Sequence, residues 1–189
     1  ASWLDASAAL DALPDGYRVL QVPGTEFGAY QWGYTVDQPL PALTERPLLT
    51  RDLLPLGSPA AMDLLFALDD RVQDGTLDPD AVAPIARLLG VDTIWLTNDV
   101  QFDRFRLARP ELVADLLAHG DVDGLGESTS FGEPTVMLPR GPYIDEQLLG
   151  DSRIGTAIAP VQLLPVSESV PTVRVKDEIV VVSGSGDGL

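Results

Sequence analysis

The chain has no cysteine, a single histidine and a single lysine among its 189 residues. The missing cysteine excludes disulfides, thiolate-bound metals and thiol nucleophiles. One histidine excludes a histidine-rich zinc site. A Ser-His-Asp triad would have to use His119, in "LLAHGD". That setting reads as the last turn of a helix before a glycine stop, where an imidazole favours the helix dipole and serves structure rather than catalysis. Positive charge is scarce as well: 12 basic residues face 29 acids, for a formal net charge of -17. A nucleic-acid partner needs clustered lysine and arginine, so that class is excluded, and docking of the whole chain on an anionic membrane surface is disfavoured. No apolar run reaches the ~18 residues that read as a membrane span. No signal peptide is visible, the first residue is not methionine, and the last residues, "VVVSGSGDGL", stop where a helix would start. Both ends therefore look cut from a longer chain.

What remains is ample for a core: 45% of the residues are apolar. The length fits one domain, or one and a half. "DASAALDAL" (5–13) reads as a short helix ended by Pro14, and "YRVLQV" (17–22) as a strand. Residues 28–36 read as loop or short strand. Five prolines between 38 and 59 prevent long regular structure and suggest an ordered surface excursion. Residues 58–75 form the clearest helix, with Ser58 as N-cap, Pro59 at the first helical position and an apolar stripe of Met62, Leu65, Phe66, Leu68 and Val72. A second helix spans 78–90, capped by Asp78, kinked or split at Pro84 and stopped by Gly90. "VDTIWLTND" (91–99) comes at once as a strand, and 109–120 is a third helix. A strand at 135–138, a helical turn in "DEQLLGD", and strands in "VQLLPV" and "PTVRVKDEIVVVSG" complete the pattern. Helices alternating with strands predict an α/β fold, with a mixed or mainly parallel sheet under packed helices. The C-terminal part reads as β-rich, which places a domain boundary between 1–164 and a strand segment, 165–189, leading into a further domain.

Four stretches offer chemistry. "SGSGDG" (183–188) after a buried-type strand suits a phosphate-binding turn, or a plain flexible turn. Asp121, Asp123 and Glu127 partly imitate a calcium loop but miss the EF-hand pattern, so a solvated acidic turn fits better and no metal site is expected. "TNDVQFDRFRLARP" (97–110) holds the one local concentration of positive charge. Arg104 and Arg106 there are candidate phosphate or anion ligands, and the alternative is a capped turn with local ion pairs. Most distinctive is "PGTEFGAYQWGYTVDQP" (23–39), with three large aromatics within five residues between Glu26 and Asp37. Such rings stack on the apolar faces of sugars while acids accept from hydroxyls. The plainer reading is that Tyr30, Trp32 and Tyr34 alternate along one strand and cover the core from the same side.

"GYRVLQVPGTEFGAYQWGYTVDQPLPALTERPLLTRDLLPLGSPAAMDLLFALDD" and "LLGVDTIWLTNDVQFDRFRLARPE" together resemble the mycobacterial α-(1→3)-arabinofuranosyltransferase family AftD, large multi-span membrane enzymes of the GT-C class. The resemblance covers residues 15–110 and runs on toward the end. It implies a soluble periplasmic segment of an enzyme that moves arabinofuranose from a decaprenyl-phosphate donor to the arabinan of arabinogalactan and lipoarabinomannan. In that class the catalytic acid lies in an early loop between membrane spans, so the resemblance assigns no catalytic residue and no cofactor to this piece. It implies as partners the arabinan acceptor and the rest of the parent enzyme, its transmembrane domain and later carbohydrate-binding modules. On this basis Glu26, Tyr30, Trp32, Tyr34 and Asp37 are the candidate glycan contacts. A structural spacer, and an independent nucleotide- or phosphate-binding domain, are the alternatives.

Overall fold

The computed structural model describes residues 1–51, 58–118, 122–142 and 154–175. The elements in chain order are α1 (Ser2–Asp11), β1 (Arg18–Val22), β2 (Gly28–Tyr30), β3 (Gly33–Val36), β4 (Leu48–Leu49), α2 (Pro59–Gln73), α3 (Val82–Leu88), β5 (Val91–Thr97), α4 (Phe102–Phe105), α5 (Pro110–Ala118), β6 (Thr129–Phe131) and β7 (Val161–Pro165). The main sheet runs β4-β1-β5-β7-β6. Strands β4, β1 and β5 are parallel, while β7 lies antiparallel to β5, and β6 to β7. The fold is thus α/β with a mixed sheet, as expected.

Local chemistry explains most boundaries. Ser58 Oγ accepts from Ala61 N and Pro59 opens α2, so an orphan donor is met and none is wasted. Pro84 splits its segment as expected. A single 3-10 turn, Pro79–Ala81, carries the Asp78 cap, and α3 comes next with Pro84 in its first turn, where a backbone N–H has no helical partner to lose. Gly90, at φ +72°, ends α3 and turns the chain straight into β5.

Two apolar layers sandwich the sheet. Leu20, Val22, Ile94, Leu96 and Leu164 face α2, α3 and α5 through Met62, Leu65, Leu68, Ala86, Val113 and Leu117. Val19, Trp95, Val161 and Leu163 face the other way, against Trp3 and Leu10 of α1, Tyr30 of β2, Leu40 and Phe102. Trp95 is fully buried. A ring that removes ~150–250 Å² from water contributes about 4–6 kcal/mol at the usual area coefficient.

Several expectations shift. The strand of the turn-rich region is β6 at 129–131, not 135–138, where only Thr135 bridges to Ile158. Met137 is buried there while Val136 and Leu138 stay exposed, so the alternation exists without a partner strand. Residues 171–175 form no strand, and the rest of that expected strand, like the helical turn at 145–151, lies outside the described residues. Past β7, Val166 N donates to Asp92 O at 2.8 Å and Thr172 N to Gly16 O at 2.9 Å.

Topology sets where the two long parallel strands release the chain. From β1 it leaves toward β4 on one side, and from β5 toward β6 and β7 on the other. The carboxyl ends of β1 and β5 therefore form a switch point, the place where open α/β sheets leave a crevice. A small antiparallel hairpin, β2–β3, sits there. Its anchor is Gly28, where an added Cβ would stand 2.3 Å from Thr35 Oγ1 and 2.4 Å from Asp37 O. Gly28→Ala is expected to destabilise the fold by about 1–3 kcal/mol through overpacking against backbone. Urea unfolding of the variant beside the parent chain measures it, and an unchanged midpoint would mean the hairpin is not held as described.

Candidate functional site

The hairpin does not present its rings as one strand would. Ala29 pairs with Tyr34 and Tyr30 with Gly33, so Gln31 and Trp32 form the connection and the chain reverses between Tyr30 and Tyr34. Tyr30 is fully buried, and its hydroxyl donates to Gln38 Oε1 at 2.6 Å. Trp32 lies flat on it, with ring centroids 5.0 Å apart and planes 5° from parallel, and remains 53% exposed. Trp3 of α1 meets both rings edge-on, at 4.9 Å from Tyr30 and 6.1 Å from Trp32, and touches Trp95 at 5.3 Å. Tyr34 is 46% exposed and carries the Arg104 guanidinium 4.2 Å above its ring. The result is a ledge, Trp32, half exposed to water and supported by Tyr30 and Trp3 with Trp95 behind them; Tyr34, paired with Ala29, is exposed on the same hairpin under Arg104.

The other expected site residues are placed around it. Glu26 and Asp37 are exposed at the two ends of the hairpin segment. Among the described residues neither forms an ion pair. Arg104 lies over Tyr34, while Arg106 is exposed at the end of α4, in a left-handed conformation at φ +55°. Neither arginine is ion-paired among the described residues. A third arginine, not singled out by the sequence, joins them: Arg140 Nη2 donates to Gln31 O at 2.5 Å and Arg140 N to Asp103 Oδ2 at 3.0 Å. Asp123 and Glu127 are exposed, and among the described residues no group of three or more His, Cys, Asp and Glu could hold a metal ion. His119, Asp121 and the glycine turn at 183–188 lie outside the described residues.

The residue that sequence reasoning missed is Asp99. It lies just after β5, and the chain around it is laced to the hairpin: Gln31 N donates to Asp99 O at 2.7 Å, Gln101 N to Ala29 O at 2.9 Å, and Gln101 Nε2 to Tyr30 O at 2.5 Å. Its side chain is 4% exposed. Trp3 Nε1 donates to Oδ2 at 3.0 Å, and Oδ1 accepts no hydrogen bond from any described residue. Burial pushes this carboxyl from 3.8 up to about 6, and the Trp3 indole N–H offsets only part of that. A signal existed in "TND" after an apolar strand, since strand ends are where such folds place polar groups. Nothing local said that a tryptophan 96 positions away would bury it.

A second buried acid nearby has a structural task. Asp69 of α2 accepts from Gly24 N at 2.7 Å and from Arg51 Nη1 at 2.9 Å. It thereby ties the turn after β1 to the helix. Burial raises its pKa, and the Gly24 N–H and Arg51 work against that rise.

Comparison with known proteins is consistent across sequence and structure. A model of the alpha-(1->3)-arabinofuranosyltransferase N-terminal GT-C domain matches residues 1–189. An alpha-(1->3)-arabinofuranosyltransferase of Mycolicibacterium smegmatis is 32% identical over 168 residues, which are 87% of this chain and 11% of that protein. Its counterpart in Mycobacterium tuberculosis is 28% identical over 189 residues, all of this chain and 13% of that protein. The cryo-EM structure of arabinofuranosyltransferase AftD from Mycobacteria superposes with a TM-score of 0.72 at 30% identity, over 89% of this chain and 12% of that one. The chain thus spans only a small part of the length of its relatives. No helix among the described residues is long and apolar enough to cross a membrane.

Asp99 gives the stability a pH dependence of defined sign. The unfolded chain releases this proton near 3.8 and the folded chain near 6. Between those values the folded state binds more protons, so this stabilisation is full below the window and lost as pH rises through it, by about 3 kcal/mol. Asp99→Asn should remove that part of the pH slope and be more stable than the parent at pH ~7. Thermal melts of both proteins across the window measure it, and parallel pH curves would refute the assignment.

Proposed function

The chain belongs to the α-(1→3)-arabinofuranosyltransferase family, and we propose that it forms the soluble, periplasmic part of a membrane enzyme that transfers arabinofuranose from decaprenyl-phosphate-arabinose to cell-wall arabinan. Its own task in this reading is to contact the acceptor glycan. The observation that carries it is the Trp32 ring, half exposed yet stacked on the buried Tyr30. A ring fixed in this way loses little freedom when a sugar lies on it, and preorganisation is what converts a weak contact into affinity. Tyr34, Glu26 and Asp37 are exposed in the same segment of chain, and in this reading the two carboxylates accept from sugar hydroxyls. Arg104 and Arg106 are free of ion pairs among the described residues, which suits an anionic group near the ledge. The chemistry of transfer belongs to parts of the enzyme beyond this chain.

A second reading is supported by the same ledge. Trp32, Tyr34 and Leu138 are exposed in a chain that spans 11% and 13% of its curated relatives, so further protein can cover them. This would make the module a spacer that packs on the remainder of the enzyme.

Titration with arabinan oligosaccharides separates the two. The glycan reading expects saturable changes in tryptophan fluorescence, lost or weakened by about tenfold in Trp32→Ala, since a stacked ring contributes on the order of 1 kcal/mol. No response up to millimolar sugar, with the variant and parent alike, rejects glycan contact by this chain and leaves the spacer.

A further inference from the structure

The ledge rests on a carboxylate that no cation balances. Asp99 enters none of the ion pairs among the described residues. From α1 the Trp3 indole donates to Oδ2 at 3.0 Å, and Oδ1 accepts no hydrogen bond from any described residue. The charged groups on the packed elements are engaged elsewhere. Arg104 lies over Tyr34, Arg140 on the Gln31 carbonyl, and Asp103 on the Arg140 amide, while Asp5 of α1 is exposed. Trp3 is therefore held at both ends: its N–H by Asp99, and its ring by edge contacts with Tyr30 and Trp32.

We propose that Asp99 is the positioning residue of the Trp32 ledge: its ionised carboxylate holds the Trp3 indole against the edges of Tyr30 and Trp32, and its protonation loosens Trp3, with it the Trp32 stack, and so weakens the hold on whatever ring the ledge receives. The physical reason is the strength of charge-assisted hydrogen bonds, roughly twice that of neutral ones. A neutral carboxyl keeps less hold on the Trp3 indole, whose ring braces Trp32 and Tyr30 edge-on. The change falls well above the usual carboxylate range, because burial has moved this group up to about 6. The ring-positioning claim stands on the apo geometry. Its consequence for affinity rests on the glycan reading above.

The test starts from the unliganded chain. Indole N–H resonances are tracked by ¹H–¹⁵N NMR from pH ~7.5 to ~4.5, a range that brackets the buried and ordinary carboxylate values. Trp3 and Trp32 are expected to shift together with one midpoint near 6, whereas Trp95, whose Nε1 is buried without a partner among the described residues, stays still. Asp99→Asn should abolish that transition with the backbone spectrum otherwise retained, and Asp99→Glu should restore a pH-dependent shift. Indoles that do not titrate in the parent, or that titrate equally in Asp99→Asn, overturn the proposal, and the parent alone suffices if a variant fails to fold. A second arm adds arabinan oligosaccharide at pH ~7 and ~5, either side of the midpoint. Affinity several-fold weaker at the lower pH in the parent, and flat in Asp99→Asn, extends positioning to binding; equal pH dependence in both overturns the coupling. Titrating indoles with no sugar binding at either pH would reject the glycan reading and keep the positioning role.

Discussion

Strand β5 is the constraint on which the rest depends. Every residue from Thr93 to Gln101 is buried. The strand has a parallel partner on one side, an antiparallel one on the other, and an apolar layer over each face. A strand in that position has no freedom of register, because a slip by one residue would exchange Trp95 with Leu96 between two differently shaped layers. The residues at its carboxyl end are therefore delivered to a fixed place, and three of them, Asn98, Asp99 and Gln101, take hold of the neighbouring chain. Asn98 Nδ2 donates to Gln162 Oε1 and Ala159 O, both at 2.9 Å, securing the chain that enters β7, while Gln101 secures the hairpin.

Two ion pairs, each with a buried member, sit where two segments must be joined. Arg46 grips Asp92 with Nη2 at 2.7 and 2.8 Å and so fixes the entry to β4 against the start of β5. Arg51 and Gly24 converge on Asp69, where the chain leaves β1. Such pairs add little net stability over an apolar filling, but removing one partner costs several kcal/mol because the other is left buried and unpaired. They act here as registers for chain segments too irregular to be placed by a ladder. Asp99 differs from both: its partner is the Trp3 indole rather than a guanidinium, and it costs stability at neutral pH close to the half-exposed Trp32 ring. Rules of local consistency are commonly broken at working surfaces, where a destabilising group is kept for what it positions.

The fold class was legible because its signals are local. The Ser58-Pro59 start, the Gly90 stop, the stripe through α2 and the β-branched run of β1 and β5 are each set by residues within a few positions of one another. The failures also have a physical pattern. Residues 135–138, Thr-Val-Met-Leu, suit a strand by composition, yet composition does not supply a partner, and only Thr135 finds a bridge; Thr129–Phe131 had the partner, β7, and so became the strand. Residues 30–34 do alternate, but a two-residue reversal at Gln31-Trp32 divides them between a buried ring and an exposed ledge.

By itself the sequence determined the α/β class, the family to which the chain belongs, and the concentration of aromatics and acids in residues 23–39. It determined too that no thiol or histidine cluster could serve a site. Only the tertiary structure decided which ring faces water, that Arg140 and Arg104 come to the same hairpin, and that Asp99 lies under the indole of Trp3. Composition, caps and periodicity are properties of neighbours along the chain. The exposure of Trp32 and the burial of Asp99 are set by contacts between α1, the hairpin and the end of β5, segments that meet only once the sheet has fixed where each of them must stand.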